Sequence, residues 1–209
     1  MPRRLWRRPS PSANTAAEAT LMARVVAGDD DAFAHLVARH EGALYNYLLR
    51  MVQDEALTAD LVQETWLRVF QHANRYDTTR KFTTWLFAIA SHCCIDALRV
   101  RQRLEQQAQH ASHQVPTLAQ ETEDPQEHHI VRETLTTVRA AVQSLPVPQR
   151  EVFLLRHYHG LSYQEISDVV QCSLGTVKSR MHYAVRHLQR ALTAGGVDEK
   201  VDDDPHQAE

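Results

Sequence analysis

The sequence predicts an all-α protein of two helical domains joined by a flexible linker, and three observations carry that expectation. Apolar residues recur at steps of three and four through several long stretches, the period of an amphipathic helix. Gly and Pro are few, 6 and 8 among 209 residues, which argues against a mostly β or fibrous chain. A stretch at 105–129, rich in Gln, His, Pro and acid, separates two such helical blocks.

Taken in order, residues 1–20 are Pro-, Ser- and Arg-rich and read as a disordered basic tail. A short helix is expected over Ala16 to Ala27, ended by Gly28 with Asp29 or Asp30 as the next cap. Asp31 to Val52 follows as a long helix with Phe33, Val37, Leu44, Leu48 and Met51 on its core side. The next helix, Ala56 to Gln71, turns Leu57, Leu61, Thr65 and Val69 inward, and Val62, Trp66 and Phe70 widen the stripe. Its other side carries Asp60, Gln63, Glu64 and Arg68, which reads equally as a solvated face.

Arg75 to Lys81 is a polar, basic connector into a third long helix, Phe82 to Arg103. Phe82, Leu86, Ile89, Cys93, Ala97 and Val100 make the inner stripe of that helix. Trp85, His92, Asp96, Arg99 and Arg103 share another side, and an aromatic beside cations suits stacking on unpaired bases while neutralising phosphates. Trp85 as a plain core residue is the competing reading.

After the linker, Ile130 to Leu145 resumes a helix that Pro146 and Pro148 stop, and Gln149 to His157 forms another. Leu161 to Leu192 then has the pattern of a helix-turn-helix. Ser162 and Glu165 form a capping box, Ile166, Val169 and Val170 give the short first helix an apolar side, and Ser173 caps the second. Leu174, Val177, Met181, Ala184 and Leu188 make one buried stripe. Lys178, Ser179, His182, Tyr183 and Arg186 lie opposite, in a recognition helix expected from Leu174 to His187. A packed helical hairpin with a solvated charged side fits the same pattern. Residues 195–209 close the chain as an acidic tail.

The bulk properties narrow the function. No apolar run approaches the roughly 20 residues of a membrane-spanning helix, and no signal-peptide segment follows the basic N-terminus, so a soluble, cytoplasmic protein is expected. Three Cys without a Cys-x-x-Cys spacing build neither a disulfide framework nor a zinc site, and the 13 His are scattered, so no metal or cofactor is expected. Phosphate-binding loops, nucleophile elbows and metalloprotease signatures are missing from the sequence, which leaves no basis for an enzyme or a small-molecule substrate. The net charge of −3 is low for a DNA binder, yet Arg and Lys crowd 68–103 and 178–190. Basic patches on an acidic background suggest DNA binding that depends on a larger partner.

With both halves in view, the chain resembles the extracytoplasmic-function sigma factors of bacterial RNA polymerase. The resemblance runs from about Leu21 to Leu192. It is carried by DLVQETWLRVF at 60–70 and KFTTWLFAIASHCCIDALR at 81–99 in the first half. LPVPQREVFLLRHYHGLSYQEIS at 145–167 and GTVKSRMHYA at 175–184 carry it in the second. It implies a region 2 domain over 21–104, a flexible linker over 105–129 and a region 4 domain over 130–194.

By that resemblance Asp60, Gln63 and Glu64 would dock on the clamp helices of the polymerase largest subunit, and region 4 would meet the flap. Arg80, Lys81, Trp85, Ser91, His92, Asp96, Arg99 and Arg103 would engage the minus-ten element, with Arg101 supplying a further phosphate contact. Thr176, Lys178, Ser179, His182 and Tyr183 would read the minus-thirty-five element, with Arg180 and Arg186 on its backbone. An anti-sigma factor is the expected inhibitor.

Two departures stand out: His92 where relatives often carry Asn, and Tyr183 and Val185 where Arg is frequent. The rival reading is a stand-alone helix-turn-helix regulator that dimerises and binds a palindrome without polymerase.

Overall fold

The structure, a computed structural model, describes residues 11–111 and 137–194. These form helices α1 Pro11–Val26, α2 Asp30–Val52, α3 Glu55–Gln71, a 3-10 turn Ala73–Arg75, α4 Phe82–Ala111, α6 Val147–His157, α7 Tyr163–Val170 and α8 Leu174–Ala194, with α5 described over 137–143. No strand occurs among the described residues. The expected acidic tail lies outside them, as do residues 1–10 and the linker from 112 to 129.

The helix boundaries follow local chemistry. Asp29 caps α2 by accepting from the Ala32 amide at 3.1 Å, and Asp54 caps α3 by accepting from Leu57 at 2.9 Å. Gly28, at φ 89°, makes the left-handed turn between α1 and α2 that the sequence requires there. Ser162 and Glu165 form the expected capping box on α7, and Ser173 accepts from the Thr176 amide at 3.1 Å to start α8.

Three boundaries differ from expectation by more than two residues, and one of them is the end of α8, at Ala194 where His187 is expected. α1 begins at Pro11, so 11–20 is helical where a disordered tail was expected; proline is well suited to a first helical position. α4 runs to Ala111, past the expected linker start at 105, and through a Gln-rich segment with no apolar period. Gln is a good helix former, so α4 continues on backbone propensity where it no longer packs.

α1 to α4 form the first bundle, and α6 to α8 the second. Leu36, Leu44, Leu48, Met51, Leu61, Val69, Phe82 and Leu86 fill the first core. Buried Glu18 of α1 meets His40 of α2 at 2.9 Å and Arg39 at 3.6 Å, which ties α1 to the bundle. Leu145, Val152, Leu155, Ile166, Val169, Val177, Met181, Ala184 and Leu188 fill the second core.

Nine of the residues expected inside lie at or beyond the edge, Val37, Leu57, Ile89, Ala97 and Val170 being half-buried. Phe70, Val100 and Leu174 are exposed, and Phe33 is half-buried, packing edge-on to Trp66 at 5.9 Å.

The two bundles touch through α4 with α7 and α2 with α6. For this α4 carries a second buried stripe, Thr84, Phe87, Ser91 and Cys94, besides the one that faces its own bundle. Apolar burial is continuous across both halves.

Candidate nucleic-acid and polymerase interface

The exposed face of α3 holds Asp60 and Gln63, with Glu64 half-buried beside them. Glu64 is held by Arg68 at 2.7 Å, an i,i+4 pair whose hydrogen bond raises the Arg68 guanidinium above its ordinary value. Leu67 lies on the same face at i+7 from Asp60 and is 51% exposed. An apolar residue ringed by polar ones has the composition of a docking face. Sequence reading passed over Leu67, although its spacing from Asp60 and Gln63 was the available signal.

The 75–81 connector is built rather than loose. Tyr76 donates to the Arg80 carbonyl at 2.6 Å, and Asp77 accepts from the Thr79 amide and hydroxyl at 2.9 and 2.6 Å. Those two bonds hold the Asp77 carboxyl below its usual range. Burial pushes the Tyr76 phenol up to about 12, so it stays a hydrogen-bond donor. Tyr76 also packs against Trp85 at 5.2 Å and Phe82 at 5.9 Å, leaving Trp85 half-buried. Trp85 therefore belongs partly to the core and partly to the surface.

Farther along α4, His92, Asp96, Arg99, Arg101 and Arg103 are exposed. Asp96 pairs with Arg99 at 3.3 Å, and Arg101 reaches Glu105 at 2.9 Å and the Val52 carbonyl at 3.2 Å. Ser91 is different. It is only 3% exposed, and its hydroxyl donates to the Glu151 carboxylate of α6. In this arrangement Ser91 faces the second bundle, not solvent.

On α8, Lys178, Ser179, His182, Tyr183 and Arg186 are exposed on one side, as the helical spacing predicts. Tyr183 is 58% exposed and meets His182 edge-on at 5.7 Å. Thr176 is half-buried and its hydroxyl is bound to Ser173 at 2.8 Å. Arg180 is also half-buried, and its charge acts on the Glu151 carboxyl, so it leans toward the joint. Arg190, the end of the basic stretch 178–190, is exposed two turns along from Tyr183 and extends the basic surface.

The joint between the bundles has its own chemistry. Arg150 donates to the Met51 carbonyl at 2.8 Å and the Leu145 carbonyl at 3.0 Å, bridging the end of α2 to the second bundle. Burial lowers its guanidinium and raises the Glu151 carboxyl next to it. His159, in the turn set by Gly160 at φ 67°, inserts between Phe87 at 4.4 Å and Tyr47 at 5.7 Å. Burial, helped by the charge of Arg50, lowers the His159 imidazole to about 4. Arg150 Nε and His159 Nε2 are buried there without a hydrogen-bond partner among the described residues. At the rim, Arg50 lies over the Tyr158 ring at 4.4 Å.

Across the same joint Lys81 meets Glu165 of α7 at 2.7 Å, and Arg80 approaches Asp168 at 3.9 Å. Burial opposes the Glu165 charge, but Lys81 and the Ser162 amide and hydroxyl together hold its carboxyl below the usual range. Among the described residues no group of His, Cys, Asp and Glu could hold a metal ion, and no helix is long and apolar enough to cross a membrane.

Comparison with known proteins gives this geometry its family. The Sigma-70 region 2 model matches residues 36–104, and the Sigma-70, region 4 model matches 135–188. The chain is 36% identical over 163 residues to the ECF RNA polymerase sigma factor SigL of Mycobacterium tuberculosis, covering 78% of this chain and 89% of that one. It is 30% identical over 174 residues to ECF RNA polymerase sigma factor SigW of Bacillus subtilis, covering 81% and 93%. Among solved structures, CnrH in complex with the cytosolic domain of CnrY superposes with a TM-score of 0.64 at 26% identity, covering 85% of this chain and 98% of that one. The sigma factor RpoE in complex with the anti-sigma factor NepR from Bartonella quintana shares the fold, with a TM-score of 0.62 at 22% identity over 77% and 96%.

Fold, site and matches together define a sigma factor, a DNA-binding protein of transcription initiation that works with RNA polymerase. Within that class, the chain belongs to the extracytoplasmic-function family.

Proposed function

We propose that this sigma factor binds core polymerase through Asp60, Gln63, Glu64 and Leu67 of α3, set against the clamp helices of the largest subunit. Residues 21–104 would act as the region 2 domain and 130–194 as the region 4 domain, the latter also meeting the flap, with 105–129 linking them. Trp85, His92, Asp96, Arg99 and Arg103 would face the minus-ten element, with Arg80 and Lys81 on nearby phosphates. Ser91 joins that set only after the second bundle moves away from α4, because Glu151 holds it here. Thr176, Lys178, Ser179, His182, Tyr183 and Arg186 would read the minus-thirty-five element in the major groove, Arg180 swinging onto the backbone from the joint.

The single observation that supports this reading best is the pairing of two separate surfaces in one chain. One is a face on α4 with half-buried Trp85 and exposed His92, Arg99 and Arg103, and the other an exposed basic recognition face on α8. The polymerase would perform the nucleotidyl transfer, so the chain is read as no enzyme and needs no cofactor. An anti-sigma factor is proposed as its inhibitor, as in the NepR complex of the similar fold, and the cytoplasm as its location.

The test is reconstitution of the purified chain with bacterial core polymerase, followed by sequencing of transcript starts on a genomic library. Discrete starts sharing two upstream elements are expected. Lys178→Ala and His182→Ala should alter the upstream element alone, while Trp85→Ala should impair opening at every start. Absence of a complex with core, together with tight polymerase-free binding to a palindrome, would overturn the proposal.

A further inference from the structure

Arg80 and Lys81 are exposed, so their side chains start in whatever direction the backbone gives them. One residue holds that backbone. The Tyr76 hydroxyl donates to the Arg80 carbonyl at 2.6 Å, closing a loop from 76 to 80. A peptide unit is planar, so fixing this carbonyl fixes the unit from the Arg80 Cα to the Lys81 Cα, where both cations begin. The loop is tied again inside. The Arg80 amide donates to the Asp77 carbonyl at 3.0 Å, and the Asp77 carboxylate accepts from the Thr79 amide and hydroxyl. At its far end the Lys81 carbonyl accepts from the Trp85 amide at 3.3 Å, in the first turn of α4.

The Tyr76 ring holds the third member of the set. It lies 5.2 Å from the Trp85 ring at 50° and 5.9 Å from the Phe82 ring at 75°. Phe82 is fully buried and packs in turn on His40 at 5.2 Å, which Glu18 of α1 binds at 2.9 Å. Half-buried Trp85 is thus propped from the core through Tyr76 and Phe82 while part of its surface faces solvent.

We propose that Tyr76 is a positioning residue for strand opening: its hydroxyl sets the Arg80–Lys81 peptide and its ring sets the Trp85 indole, so that two cations and a stacking surface meet the melted strand already arranged. This rests on the proposed reading of Arg80, Lys81 and Trp85 as minus-ten contacts. Tyr76 acts through those three residues and not on the DNA. A loop ordered beforehand loses less conformational freedom on binding, so the gain falls on the step that captures the strand.

The test uses holoenzyme reconstituted from the full chain and core polymerase, on a promoter with a mapped start. Opening is followed as permanganate reactivity of thymines in the melted stretch against time. Tyr76→Phe keeps the ring and removes only the hydroxyl. It should slow opening about three- to tenfold, what losing one neutral hydrogen bond is worth, and leave affinity for core polymerase unchanged. In a chain that already carries Arg80→Gln and Lys81→Gln, Tyr76→Phe should cost nothing further, because no cation remains to be aimed. Tyr76→Leu removes the ring as well and should slow opening more. That extra cost of Leu over Phe should vanish in a Trp85→Ala chain.

An unaltered opening rate in Tyr76→Phe overturns the proposal. So does a slowing of equal size in the chain without Arg80 and Lys81, which would mark damage to the fold and not to their aim. A Leu cost that persists without Trp85 overturns the part assigned to the ring. If Tyr76→Phe has no effect while Arg80→Gln with Lys81→Gln slows opening, the phosphate reading stands and the positioning alone falls. If those two substitutions leave opening at its full rate, both fall.

Discussion

Acidification should loosen the joint through His159. Burial between Phe87 and Tyr47 lowers its imidazole to about 4 from an ordinary 6.5. A proton therefore binds the unfolded chain more readily than the folded one, and stability falls as pH drops through the window from 6.5 to 4. A shift of that size makes the loss about 2 kcal/mol at pH 5 and about 3 kcal/mol at pH 4, with little further change below. Glu151 works against this. Its carboxyl is raised by burial, so its contribution is fully present below 4.5 and is lost as pH rises through its folded value. The two effects are separated by comparing the unaltered chain with His159→Phe, which keeps an aromatic in the slot and cannot titrate. Urea unfolding followed by far-ultraviolet circular dichroism at pH 7, 6, 5 and 4 gives both stabilities. The difference between the two chains should change by about 3 kcal/mol in favour of His159→Phe across that range. A difference that stays flat from pH 7 to 4 would refute the claim that a buried, neutral His159 holds the joint.

Other outcomes follow from the same geometry. Ser162→Ala removes one side of the capping box and should lower stability by about 1 kcal/mol, read as a fall in the midpoint of thermal unfolding. Leu155→Ala, at a site with no exposed surface, should cost about 2–5 kcal/mol in the same melt, and a smaller loss would mean that the second core collapses to fill the gap. Iodoacetamide at pH 8 should label half-buried Cys172 first, since burial raises the Cys93 thiol and pushes the Cys94 thiol up to about 12. Mass mapping that finds Cys94 labelled in the native chain would contradict that burial.

The helices of the helix-turn-helix were legible because their signals are local: Ser162 with Glu165, Ser173, and a stripe of apolar residues at fixed spacing. The exposed side of α8 followed from that stripe by geometry alone. The joint was not legible. Thr84 and Ser91 are polar, so the second stripe of α4 has the look of a solvated face, and Glu151 reads as a surface carboxylate in any short helix. Only the pairing of distant segments shows that both are buried, and no local period encodes it. The long tail of α4 escaped for the opposite reason: its Gln-rich turns pack against little, and a reading by apolar period sees only what packs. Leu36, His40 and Tyr47 of α2 were likewise passed over in favour of Phe33 and Val37, because a wide stripe can be centred a residue or two either way.

The incomplete satisfaction of the joint bears on how the protein is released for work. Arg150 Nε and His159 Nε2 lie buried with no partner among the described residues, and leaving such a group unpaired costs about 1–3 kcal/mol. Parting the bundles hydrates both, which offsets some of the apolar contact that is given up. The closed form resembles a gasket more than a weld. A partner that inserts at its edge works with the solvent rather than against it.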